Sequence, residues 1–318
     1  MKIVVLDDYQ RVARKYGTFD TLPDTRVEVL HEHVAGQELI DALAGAEVVV
    51  AMRERTAFPA ELFERLPALR LLVTTGMSNA AIDLTAAAAH GVTVSGTVMY
   101  GATKSSNAAE LAWALILACR RHVVAEDRAL RDGRWQTTMG ADLAGSTLGV
   151  LGLGRLGTQV ARIGQAFDMR VIAWSEHLTA ERAAEAGATL VSRDELFAAA
   201  DVLTIHLKLS ERTTGLIGAA ELAAMKPSAV LINTSRGPIV DEAALVAALT
   251  AGTIAGAGLD VYDVEPLPLG NPLRGAPHTV LLPHLGYVTE NSYRGMYEQA
   301  VEDITAWRAG EPVRVLTP

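Results

Sequence analysis

The chain has one cysteine, few aromatics and no surplus of basic residues, and each shortage removes a class of protein. Cys119 has no partner for an internal disulfide and lies in an apolar stretch, so it reads as a buried structural thiol. No apolar run is long enough to span a membrane. The opening Met1–Leu6 turns acidic at Asp7, too soon for a signal-peptide core, and the expected location is the cytoplasm. Twenty-eight Lys and Arg face 37 Asp and Glu, a net charge of −9 spread along the chain, which leaves no electrostatic footprint for nucleic acid. Metal-ligand clusters are also missing: His31-Glu32-His33 flanks a single acid on an apparent loop, so no metal is expected.

Half of the 318 residues are hydrophobic, a composition and length that fit about two globular domains. Short β-branched runs alternate with Ala-rich helical stretches, the pattern of parallel sheets covered by helices, so the fold class is α/β with two doubly wound, Rossmann-like domains. The first series of expected strands is 2–6, 26–30, 48–51, 71–74 and 92–94. The second series is 147–151, 170–174, 202–206, 229–232, 256–260 and 279–282. Helices expected at 105–121 and 290–308 follow each series and serve as crossovers between domains.

One motif stands in a strong context. Gly152-Leu153-Gly154-Arg155-Leu156-Gly157 follows an apolar strand and opens a helical segment at 158–167. Gly152 permits a tight turn, Gly154 lets backbone approach a pyrophosphate and Gly157 lets helix and strand pack closely, while free N–H groups at the helix start attract the anion. The acid that holds the ribose hydroxyls of NAD is expected at the end of the next strand, where Ser175 stands with Glu176 after it. Glu176 would repel a 2′-phosphate and no arginine lies in the turn, which favours NAD, with NADP the alternative.

Three later segments place a polar residue just after an apolar strand, the end at which open α/β sheets bind ligands. Arg236, in Asn233-Thr234-Ser235-Arg236-Gly237, suits a two-pronged clamp on a carboxylate. His284, in Leu282-Pro283-His284-Leu285-Gly286, suits the proton donor that a ketone needs when hydride reaches its carbon. Glu265 suits the carboxylate that orients such an imidazole. Asp260, at a strand end, either faces a nicotinamide or caps a turn. His206 reads as a packed, hydrogen-bonded histidine.

With these residues in place, the chain resembles the D-isomer-specific 2-hydroxyacid dehydrogenases from Ala51 to Thr289. The resemblance implies that Arg236, Glu265 and His284 are the catalytic set, that Arg155, Leu156, Ser175, Thr234 and Asp260 line the cofactor, and that the long helix after Ser105 helps form a homodimer. It implies a discontinuous substrate domain, residues 1–99 with 286–318, into which a dinucleotide-binding domain, 100–285, is inserted. The backbone at Met77, Ser78 and Asn79 resembles the loop that holds the substrate carboxylate, although Ser78 stands for a glycine and Ala80 for an acid. Arg53 resembles a residue that phosphoglycerate dehydrogenases place near a second anionic group.

The implied activity is hydride transfer between a nicotinamide cofactor and C2 of a small 2-keto acid such as glyoxylate or hydroxypyruvate. The alternatives are a phosphoglycerate dehydrogenase-like activity and a non-enzymatic NAD(H)-sensing protein of the same fold. Formate dehydrogenases share the architecture but resemble a glutamine where Glu265 stands, and a methyltransferase would have no use for the Arg236, Glu265 and His284 set.

Overall fold

The computed structural model describes residues 1–98 and 107–318 and divides into two compact units, Met1–Ser105 with Val288–Pro318, and Ser106–Tyr287. The sequence boundary at 99/100 falls among the residues outside that description.

The first unit is built on five parallel strands: β1 (Lys2–Val5), β2 (Arg26–Val29), β3 (Val48–Ala51), β4 (Leu71–Thr74) and β5 (Thr93–Gly96), in the order β2-β1-β3-β4-β5. β3 and β4 are buried on both faces, which is why they read as unbroken apolar runs, Val48-Val49-Val50-Ala51 and Leu71-Leu72-Val73-Thr74. β1 is followed by a polar network. Asp7 and Asp8 are 1% exposed; His33 Nδ1 lies 3.0 Å from Asp7 Oδ1 and His31 Nδ1 lies 3.0 Å from the Asp8 carbonyl. The two histidines are thus engaged with the turn after β1.

The helix Glu290–Arg308 returns to this first unit with the bounds expected for it, started by Thr289, whose hydroxyl accepts from the Ser292 N–H. Gln299 exchanges two hydrogen bonds with the Val98 backbone, and the tail runs along β5, with Gly96 N donating to Arg314 O and Leu316 N to Val94 O. These bonds make the unit discontinuous in sequence.

The second unit carries seven parallel strands: β6 (Thr147–Leu151), β7 (Arg170–Trp174), β8 (Thr189–Leu190), β9 (Val202–Ile205), β10 (Val230–Asn233), β11 (Gly256–Leu259) and β12 (Thr279–Leu281), in the order β12-β11-β10-β9-β6-β7-β8. Six of them were expected. The seventh, β8, has two residues and rests on β7, too short to show any periodicity. The chain order reverses at β6, flanked by β7 and β9, and such a switch point is where open sheets bind ligands.

The helix expected at 105–121 is observed at Asn107–Arg120, and Ser105 and Ser106 lie outside the described residues. Its apolar side is spent inside its own unit: Ala112, Trp113, Leu115, Ile116 and Cys119 are buried, and the Trp113 indole N–H donates to Val160 O at 3.2 Å. Burial pushes the Cys119 thiol up to about 12, an inert sulfur as its surroundings implied. Among the described residues no helix is long and apolar enough to cross a membrane.

Besides its bonds to β5, the C-terminal tail is tied to the helix Glu290–Arg308 by ion pairs of Arg314 with Asp303 and Glu302. Arg314 donates to Asp303 Oδ1 at 2.9 Å, to the Gln299 carbonyl and to Glu302, and Asp303 is fully buried, with burial raising its pKa to about 7. Removing the guanidinium would leave a buried carboxylate uncompensated, so Arg314→Met is expected to cost about 3–5 kcal/mol in urea unfolding. The double variant Arg314→Met, Asp303→Leu should recover most of that loss; no recovery would mean that the pair contributes through packing alone.

Candidate functional site

The site in the second unit is assembled from turns that leave the carboxyl ends of parallel strands. The first is Gly152–Gly157. Gly152 has φ +99°, and a Cβ there would lie 2.8 Å from the His206 carbonyl oxygen. At Gly157 a Cβ would lie 2.1 Å from the Gly152 oxygen, so the helix can seat on the turn only with glycine there. Gly154 differs: a Cβ would meet nothing within 4 Å, so protein packing does not explain the missing side chain and the backbone lies bare.

The helix Arg155–Ala166 begins at Gly154, with no side chain capping its first N–H groups and no acid in its first turn. Uncapped N–H groups and the positive end of the helix dipole form an anion cradle. Arg155 and Leu156 belong to that first turn, three residues earlier than the helical segment expected at 158, the first exposed and the second half-buried. β7 ends at Trp174, placing half-buried Ser175 and exposed Glu176 just beyond its carboxyl end. A bare backbone, an uncapped helix start and an acid beyond the neighbouring strand fit a dinucleotide.

The turn after β10 is braced by Asn233, 1% exposed: its Nδ2 donates to the Arg236 carbonyl at 2.9 Å and its Oδ1 accepts from Ser235 N at 3.0 Å. Ser235 Oγ ties the same turn to the Ile205 carbonyl at 2.7 Å. Arg236 is half-buried and donates from Nη1 to the Ser235 carbonyl at 2.8 Å. Thr234 lies beside it with Oγ1 buried and unpartnered among the described residues. A Cβ at Gly237 would fall 2.1 Å from the Tyr262 carbonyl carbon, so this turn rests directly on the backbone that follows β11.

After β11, Asp260 is fully buried and its two carboxylate oxygens accept from Leu285 N at 2.6 Å and Gly286 N at 2.8 Å. Of the two readings open in the sequence, the observed contacts are those of a turn brace. Burial pushes its pKa up to about 6 against the pull of the two N–H donors. Tyr262 donates its hydroxyl to Leu282 O at 2.9 Å and its backbone N–H to Glu265 Oε1 at 2.9 Å. The other oxygen of Glu265 lies 2.6 Å from His284 Nδ1. A carboxylate only accepts, so Nδ1 carries the hydrogen and Nε2 is the nitrogen left for a ligand.

His284 has φ +54°, a left-handed conformation held by the Asp260 bonds just after it, and its ring meets Tyr287 edge-on with centroids 5.4 Å apart. The structure therefore brings Glu265 and His284 into contact and sets the Arg236 turn against the Tyr262 backbone beside them. The bracing residues Asn233 and Tyr262 were not singled out in the sequence: Asn233 closes on its own turn at Ser235 and Arg236, and Tyr262 joins Glu265 in its own turn to Leu282 just beyond β12.

In the first unit, the loop after β4 has Gly76 at φ +136°, Met77 and Ser78 exposed and Asn79 buried. The Asn79 side chain is committed to the loop itself, donating to Arg53 O at 2.7 Å and Thr74 Oγ1 at 2.9 Å and accepting from Ala81 N. Arg53 donates from Nη1 to Thr75 O at 3.0 Å, and a Cβ on Gly76 would lie 1.9 Å from that nitrogen, so the guanidinium rests against Gly76 where only glycine leaves it room.

A parallel sheet with a glycine cradle at its switch point, and with Arg236, Glu265 and His284 on adjacent strand ends, has the form of a dinucleotide-binding domain. Residues 113–286 match the family model described as D-isomer specific 2-hydroxyacid dehydrogenase, NAD binding domain. The chain is 35% identical over 316 residues to D-3-phosphoglycerate dehydrogenase from Archaeoglobus fulgidus, covering 99% of this chain and 58% of that protein. It is 40% identical over 262 residues to glyoxylate reductase from Aeropyrum pernix, covering 79% and 77% of the two. A crystal structure of phosphoglycerate oxidoreductase from Vibrio cholerae O395 superposes with a TM-score of 0.91 at 36% identity, covering 98% of this chain and 99% of that one. The chain belongs to the D-isomer-specific 2-hydroxyacid dehydrogenase family and carries its NAD-binding domain. It spans a little over half the length, 58%, of the Archaeoglobus relative.

His206, at the end of β9, bonds Thr204 Oγ1 through Nε2 at 2.9 Å, and burial lowers its pKa to about 4 from 6.5. A depressed histidine binds its proton later in the folded state than in the unfolded one. Its contribution is complete above pH 6.5 and is lost as pH falls towards 4. His206→Gln should therefore flatten the dependence of the urea midpoint on pH across that window; an unchanged slope would contradict a neutral buried imidazole.

Proposed function

We propose that the protein is a D-2-hydroxyacid dehydrogenase acting as a reductase of a small 2-keto acid, glyoxylate or hydroxypyruvate in type, with His284 as its acid and base. The observation that carries this is the 2.6 Å bond from His284 Nδ1 to Glu265, itself fixed by the Tyr262 N–H, on the strand edge that also bears Arg236 and the cradle. Bound NAD(H) supplies the hydride.

The cradle Gly152, Gly154, Gly157 with Arg155 and Leu156 would take the pyrophosphate, Ser175 and Glu176 the ribose, and Thr234 and Asp260 would lie along the nicotinamide half. Glu265 accepts from Nδ1, so in the doubly protonated imidazolium it is the Nε2 proton of His284 that passes to the C2 oxygen as charge develops there, leaving the neutral Nδ1–H tautomer. Arg236 clamps the acid's carboxylate. To the first unit this reading assigns carboxylate recognition by the backbone of Met77, Ser78 and Asn79. To Arg53, which lies against Gly76, this reading assigns a further anionic group, and phosphohydroxypyruvate is the second reading. Glu176, exposed after β7, would repel a 2′-phosphate and favour NADH over NADPH.

Oxidation of NADH and of NADPH against glyoxylate, hydroxypyruvate, pyruvate and phosphohydroxypyruvate tests the reading. His284→Ala is expected to lower kcat by about 10²–10⁴-fold with NADH affinity kept. Full turnover by that variant would overturn the assignment, and preference for phosphohydroxypyruvate would select the second reading.

We also propose a homodimer, made by the segment after the long helix more than by the helix itself. Val123, Val124 and Leu130 are over half exposed, Trp135 is 76% and Met139 91% exposed, a concentration of bare apolar side chains. In light scattering the protein should run at twice 33.7 kDa, and Trp135→Ala with Met139→Glu should bring it to the monomer mass. A dimer unchanged by both substitutions would place the interface elsewhere.

A further inference from the structure

Two neighbouring strands of the first unit, β3 and β4, pair in parallel and end side by side at Ala51 and Thr74. The turn at residues 53–56 leaves one strand and the loop from Gly76 to Asn79 leaves the other, at the edge where such sheets bind ligands. With the keto acid's carboxylate on that loop, what stands on Arg53 decides which tail the acid can carry beyond C2.

The turn is held at both ends. Arg53 has φ +53°, its backbone N–H donates to Thr75 Oγ1 at 2.8 Å and its carbonyl accepts from Asn79 Nδ2 at 2.7 Å. Arg55 donates to the Asp7 carbonyl at 2.7 Å and to the Tyr293 hydroxyl at 3.1 Å, and its guanidinium lies over the Tyr9 ring at 4.4 Å. Thr56 Oγ1 donates to Asp7 Oδ2 at 2.7 Å. Glu54 stands between these anchored neighbours, and its Oε2 lies 3.5 Å from Arg53 Nε, the two side chains only 25% and 21% exposed. Solvent and salt therefore screen this pair less than a surface one.

The charges of Arg53 and Glu54 sum to zero. A phosphoryl group carries about 1.5 to 2 negative charges near neutral pH, and brought to Arg53 it would meet the Glu54 carboxylate as well. Attraction by the guanidinium is then offset by repulsion from the acid. A tail of hydrogen or hydroxymethyl meets no such repulsion, and a hydroxyl can donate to a carboxylate.

We propose that Glu54 is itself the anion that Arg53 meets, and that this internal ion pair selects 2-keto acids with a hydrogen or hydroxymethyl tail against phosphorylated ones. The selection rests on the hydride-transfer reading and separates the two substrate classes named there. Glu54 is thus a specificity residue, with no part assigned to it in moving hydride or proton.

The test is kcat/KM for hydroxypyruvate and for phosphohydroxypyruvate at saturating NADH, in the wild-type protein, in Glu54→Gln and in the double variant Glu54→Gln, Arg53→Met. Both acids are measured on one preparation of each protein, so the folded fraction cancels from their ratio. The wild-type protein should favour hydroxypyruvate by about tenfold or more. Glu54→Gln should raise the ratio of phosphohydroxypyruvate to hydroxypyruvate by about tenfold or more, a gain for one substrate that structural damage does not produce. Removing Arg53 in that background should take most of the gain away. Wild-type preference for phosphohydroxypyruvate, a ratio unmoved by Glu54→Gln, or a gain undiminished by Arg53→Met would overturn the selection and leave hydride transfer standing. Turnover of no keto acid by the wild-type protein would overturn the hydride-transfer reading itself, and the selection with it.

Discussion

Parallel pairing of β10, β11 and β12 is the constraint on which the candidate active site depends. Their register sets Asn233 beside Leu259 and Leu259 beside Leu281, so the residues that follow each strand emerge as neighbours. Three turns far apart in sequence then meet at one edge, and the missing side chain of Gly237 lets two of them touch backbone to backbone. Each polar residue of the site hangs from this arrangement. A slip of one residue in either pairing would turn side chains to the other face and separate Glu265 from His284.

Two carboxylates near the histidine divide the work by burial. Asp260, fully buried, spends both oxygens on backbone N–H groups and fixes the chain just after His284 in the path that gives the histidine its left-handed φ. Glu265, partly open to solvent, spends one oxygen on the Tyr262 N–H and the other on the imidazole. One acid sets where the ring can be and the other sets which nitrogen carries the hydrogen. The same economy recurs in the first unit, where the side chain of Asn79 shapes its loop and the residues before it, Met77 and Ser78, stay exposed.

The two edges of the second sheet contrast in chemistry. At the carboxyl edge, donors and acceptors are matched almost pair for pair, as pre-organised groups must be if they are to meet developing charge without rearranging. At the amino edge, Arg120 is buried with its Nε unpartnered among the described residues, while the Asp201 carboxylate is near enough to feel its charge.

Much was legible in the chain itself. Strand positions, the glycine cradle and the order Arg236, Glu265, His284 are local: apolar runs bury, glycines turn, and a polar residue after a strand sits at its end. The helix Glu290–Arg308 was read with its observed bounds. β8 was missed because two residues hold no period. The role of Asp260, the braces from Asn233 and Tyr262, the engagement of His31 and His33 with the β1 turn, and the surroundings of Arg120 lay beyond the sequence. Apart from the bonds that Asn233 and Tyr262 make within their own turns, each rests on neighbours from another part of the fold, and only the folded sheet decides which partners come within reach. Sequence by itself determined which residues could take part in this chemistry; the tertiary structure decided how they are held, because holding is done by neighbours in space.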